Sequence, residues 1–121
     1  MYSNCYIQVM AILFLCSRGG AKSVIAASYF NRLAGQQEAS AAASDEPYDC
    51  VPEPVSDFLQ REGFDVRGYV PHRVTEGELQ RATRVVDTEQ WVDVPKASED
   101  LEGSVAAIRR HVEELVHELH E

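Results

Sequence analysis

Basic side chains are scarce: 11 Lys and Arg stand against 20 Asp and Glu, a formal charge of −9. So acidic a chain repels phosphate backbones and anionic headgroups, which argues against nucleic acid and anionic membranes as main partners. Cysteine is scarce too. Cys5, Cys16 and Cys50 are an odd set without paired spacing. They make neither a disulfide framework nor a zinc pattern, and a reducing, cytoplasmic setting is expected, with no metal and no cofactor. Long apolar runs are missing as well. The run from Cys5 to Cys16 is interrupted by Gln8 and is too short to cross a bilayer. Met1 to Tyr6 contain no Lys or Arg, unlike the start of a secretory leader.

What is present suits one globular domain over residues 1–121, with 45% hydrophobic residues and a modest core. The chain is organised around Ile12-Leu13-Phe14-Leu15-Cys16-Ser17-Arg18-Gly19-Gly20-Ala21-Lys22-Ser23. An apolar run, read as a buried parallel strand over Gln8–Leu15, ends at Cys16. A short glycine-containing loop follows, and a helical pattern begins at Lys22. Strand, loop and helix in that order put backbone N–H groups at the positive end of a helix dipole, a cradle for an oxyanion. A cysteine facing such a cradle is expected to titrate below about 8.5 and to act as a nucleophile. Lys22 adds a positive charge, and Ser23 can donate a hydrogen bond to the sulfur. The alternative for Cys16 is a small apolar residue closing a core strand, with the glycines as an ordinary turn.

Cys16-x5-Lys22-Ser23 resembles the Cys-x5-Arg-Ser/Thr phosphate loop of the low-molecular-weight protein tyrosine phosphatases, a loop and fold shared by the thioredoxin-linked arsenate reductases. This loop ends in Lys22 where the family has Arg, so a point charge replaces a two-donor fork. The resemblance implies phosphate binding by the backbone of Ser17, Arg18, Gly19, Gly20, Ala21 and Lys22. It also implies catalysis by Cys16, Lys22 and Ser23, with an acid from a later Asp-Pro loop. The partners implied are phosphate, arsenate or a phosphorylated substrate, with a thiol reductant if arsenate is reduced.

The rest of the chain follows in order. Ala26, Phe30 and Leu33, widened by Ile25 and Tyr29, predict a helix over Lys22–Ala34 stopped by Gly35. The stretch after Gly35 has no clear periodicity; the resemblance implies a short second strand there, at Ala39 to Ala42. Tyr48 reads either as the pocket mouth or as a plain loop residue. Pro52 and Pro54 open a second helix with Val55, Phe58 and Leu59 inward, stopped at Gly63. Thr75-Glu76-Gly77-Glu78 fits a capping box, and Arg84-Val85-Val86 a strand. The segment from Gly63 through Pro71, Thr75 and Leu79 to Val86 is similar to the same region of the family.

Trp91-Val92-Asp93-Val94-Pro95 stands where the resemblance implies the acid loop, with Val94 splitting the Asp-Pro pair. Asp93 is that acid, a solvated loop aspartate, or the end of a last short strand. Cys50 is the one internal thiol placed to resolve Cys16 in an arsenate reductase. Leu101, Val105, Ile108, Val112, Leu115 and Leu119 repeat at spacings of four and three, the core stripe of a last helix. His111, His117 and His120 on that helix lack a further ligand at metal spacing.

The alternation predicts an α/β three-layer sandwich, with helices on both faces of a small four-stranded parallel sheet, and a crevice at the carboxyl ends of the strands. Function is expected to be phosphomonoester hydrolysis, with arsenate reduction or a non-catalytic oxyanion- or protein-binding module as alternatives.

Overall fold

A computed structural model of the protein describes residues 11–36, 38–66 and 68–119. Strand β1 (Ile12–Cys16) is the middle of a parallel sheet, between β2 (Ala39–Ala43) and β3 (Arg84–Asp87). A central parallel strand is covered on both faces, so its residues are apolar without alternation, and Ile12, Leu13 and Phe14 are all buried. Gln8–Met10, the predicted start of this strand, lie outside the described residues.

Parallel neighbours need long crossovers. Helix α1 (Lys22–Ala34) joins β1 to β2, while α2 (Glu53–Arg61) and α3 (Glu76–Arg81) lie between β2 and β3. Gly35 closes α1 in the left-handed region at φ 79, its N–H donating to Asn31 O. Helix α3 carries the full capping box between Thr75 and Glu78. Helix α4 (Leu101–Leu119) starts where the Asp100 carboxylate accepts from Gly103 N–H at 2.9 Å. None of the described helices is long and apolar enough to cross a membrane.

The parallel sheet flanked by helices is as expected, but among the described residues it has three strands rather than four. Where a fourth strand was predicted, the chain leaves β3 through a 3-10 turn, Thr88–Gln90. Thr88 Oγ donates to Leu15 O at 2.8 Å, and Trp91 N–H turns back to Thr88 O at 3.1 Å. These bonds direct the chain into a turn, and Val92 is left 94% exposed. One cluster unites Ile12 and Phe14 with Ile25 and Phe30 of α1, Val55 and Leu59 of α2, and Val105, Ile108 and Val112 of α4. Leu33, predicted inward, is 43% exposed.

Candidate active site

The loop after β1 is shaped by bonds on its outer side. Cys16 O accepts from Ser44 N–H at 2.9 Å, Ser17 O from Asp45 N–H at 3.0 Å, and Arg18 O from Tyr48 N–H at 3.1 Å. Gly19 O accepts from the Tyr69 hydroxyl at 2.6 Å. The described peptides include no cis bond, and in a trans peptide the N–H points opposite to the C=O. Four carbonyls tied outward therefore turn the N–H groups of Ser17, Arg18, Gly19 and Gly20 inward. Helix α1 adds its own N-terminus. Ala21 is its N-cap, no side chain caps it, and its first turn holds no acidic residue, so the first N–H groups carry no side-chain cap.

Glycine is required at one point of this loop. Gly19 has φ 67, and a Cβ there would lie 2.8 Å from the backbone nitrogen of Ala43. At Gly20 a Cβ would lie 2.7 Å from Cδ2 of Tyr48. Tyr69 supports Gly19 from behind; burial pushes its hydroxyl up in pKa, with Cys16 and Glu78 adding to the shift, so it stays a donor.

Cys16 is the last residue of β1 and is 4% exposed. Its Sγ lies 3.1 Å from the Oγ of Ser23, which is fully buried. Cys16 lines a cleft of about 670 Å³ whose apolar wall includes Tyr48, Pro52, Pro54, Val55 and Leu101, and Ser23 lies buried behind it. Arg18, Lys22, Glu89, Lys96 and Glu99 give the same cleft its charge. Of the two readings of Tyr48, lining the pocket is the one met. Arg18 donates to Glu46 O at 3.2 Å, with its guanidinium over the Tyr48 ring.

Glu89 was not singled out from the sequence, yet it touches the loop. Its Oε2 accepts from Ser17 N–H at 2.9 Å and from Ser17 Oγ at 3.0 Å, and its Oε1 lies 3.4 Å from Lys22 Nζ. Burial alone would raise the Glu89 carboxyl, but the Ser17 donors and the Lys22 charge outweigh it and hold the pKa below the ordinary value. No local motif marks Glu89. The signal is register: Leu15 pairs with Asp87 in the parallel ladder, so two residues further along each strand Ser17 meets Glu89.

Asp93 is not among the residues lining the cleft. Its Oδ1 is 2.7 Å from His111 Nε2 and its Oδ2 3.9 Å from Arg110 Nη2, both on α4. The His111 hydrogen bond is the main reason its pKa is lowered. Trp91 stacks on the His111 ring at 4.4 Å and meets Phe14 edge-on, so this segment anchors α4. Cys50 is exposed and also absent from the cleft lining. Among the described residues no group of three His, Cys, Asp or Glu is arranged to hold a metal; His120 and Cys5 lie outside them.

No protein-family model and no curated protein matches the chain. Solved structures do. A low-molecular-weight protein tyrosine phosphatase from T. tengcongensis superposes with a TM-score of 0.77 at 17% identity, over 90% of this chain and 99% of that one. A thioredoxin-dependent arsenate reductase from Corynebacterium glutamicum gives 0.76 at 16%, over 98% and 66%. The YwlE arginine phosphatase from Geobacillus stearothermophilus gives 0.72 at 15%, over 92% and 93%.

Proposed function

We propose, on a fold shared with low-molecular-weight phosphatases and an arsenate reductase, that this chain is a cysteine-dependent phosphomonoester hydrolase. Aryl phosphates such as phosphotyrosine are its substrate class, and a reducing cytoplasm its setting. One observation carries the reading. The Cys16 sulfur stands at the carboxyl end of the central strand, 3.1 Å from Ser23 Oγ, beside a loop whose carbonyls are tied outward.

Backbone N–H groups from Ser17 to Lys22, with the Lys22 charge, would hold the oxygens of the phosphoryl group. The sulfur attacks phosphorus as the ester P–O bond breaks. Water then attacks the phosphocysteine, the S–P bond breaks, and the Ser23 hydroxyl stabilises the departing sulfur. Asp93, held by His111 and Arg110, supplies no acid in this reading. That favours leaving groups that depart without one, such as phenolates, and the Tyr48 and proline wall suits a ring.

A second reading, an oxyanion-binding module without turnover, is favoured by Lys22, a point charge already paired with Glu89. Arsenate reduction would need a thiol from outside, since Cys50 is exposed and outside the cleft. Hydrolysis of p-nitrophenyl phosphate by the wild type and by Cys16→Ser tests the proposal. Turnover lost in the variant is expected. Phosphate binding with no turnover in the wild type would favour the module, and turnover that survives Cys16→Ser would end the nucleophile assignment.

A further inference from the structure

Resting on that oxyanion-loop reading, we propose that Glu89 is an internal ligand of the loop and sets its affinity: an outside oxyanion binds by exchange with this carboxylate. The Cys16–Ser17 peptide is the first of the loop, and its carbonyl is held outside by Ser44. Its N–H faces inward and is already donated to Glu89 Oε2 at 2.9 Å, with Ser17 Oγ at 3.0 Å beside it. The other carboxylate oxygen lies 3.4 Å from Lys22 Nζ, the cation that closes the loop. A carboxylate thus has what a bound phosphate or sulfate would use: a backbone donor, a hydroxyl and a positive charge. Two anions cannot share these donors, and in a part-buried cleft they repel. The Glu89 side chain is 39% exposed, so it has room to swing outward when displaced.

The other charged groups facing this cleft are Arg18, Lys96 and Glu99, while the Ser17 N–H is donated to Glu89. Glu89 is therefore distinct from Glu99, which adds negative charge to the same cleft without occupying that donor.

Sulfate is the probe, because it stays a dianion from weakly acidic to neutral pH. Its affinity is read by calorimetry and by protection of Cys16 from iodoacetamide, with circular dichroism confirming that each variant is folded. Glu89→Gln and Glu89→Ala should each bind sulfate roughly tenfold tighter than wild type, and Glu99→Gln should gain clearly less. Glu89 variants that bind no better than Glu99→Gln, or worse than wild type, would overturn the exchange while leaving the cradle standing. Absence of sulfate binding in the wild type and in every variant would remove the cradle itself, and the exchange with it.

Discussion

At the scale of single residues, the site depends on where side chains are absent as much as on where they are present. Gly19 sits at φ 67 against the Ala43 backbone, so Gly19→Ala brings both left-handed strain and a collision that backbone must relieve. We expect a loss of about 1–3 kcal/mol in urea unfolding, together with weakened phosphate protection of Cys16. An Ala variant as stable and as well protected as wild type would mean the loop does not need this conformation. The placement of Cys16, Ser23 and the loop glycines was legible in the sequence because it follows from a local order of strand, loop and helix. Glu89 was not, because it reaches Ser17 through pairing between strands far apart in the chain. For Asp93 the resemblance implied an acid loop with its Asp-Pro pair split by Val94; its partners His111 and Arg110, on a helix remote in the chain, were not legible from that local pattern.

At the scale of elements, α4 packs chiefly on α1, the helix that follows the loop, and shares a core cluster with Phe14 of β1. Its stripe is strictly periodic in the sequence, and the helix forms over the whole of it, Leu101–Leu119. Ile108 is fully buried in the cluster with Phe14 and Phe30. Ile108→Ala removes three methyl-sized groups from a packed core and should cost about 2–5 kcal/mol, read from the urea midpoint at unchanged slope. A cost below about 1 kcal/mol would show that the stripe is not core. Strand β2, Ala39–Ala43, is composed of Ala and Ser without clear periodicity, and it was expected only because the resemblance places a strand there. The predicted fourth strand failed at a level the sequence pattern does not reach. Val92 and Val94 alternate as in a strand, but Thr88 captures the Leu15 carbonyl and starts a turn that leaves Val92 exposed. Leu33 failed because a helical stripe says which face is apolar, not how far its neighbours extend to cover it.

At the scale of the whole molecule, the central strand of the parallel sheet, three-stranded among the described residues, delivers Cys16 to the carboxyl end, where the crevice of an open α/β fold lies. The fold class was readable from the alternation of elements alone, and the loop from its residues. What the chain does with the loop depends on non-local contacts: Glu89 on the donors, Tyr69 behind Gly19, and the absence of Cys50 from the cleft. With a net charge of −9, the overall field repels anions, so the proposed anion binding would rest on the local geometry of the crevice. The central claim is that Cys16 lies against an oxyanion cradle, and the alkylation of individual cysteines by iodoacetamide at neutral pH, followed by mass spectrometry with and without phosphate, tests it most directly. Cys16, though buried, should react faster than exposed Cys50, and phosphate should slow Cys16 alone; a Cys16 that reacts no faster than Cys50 and is indifferent to phosphate would contradict the account.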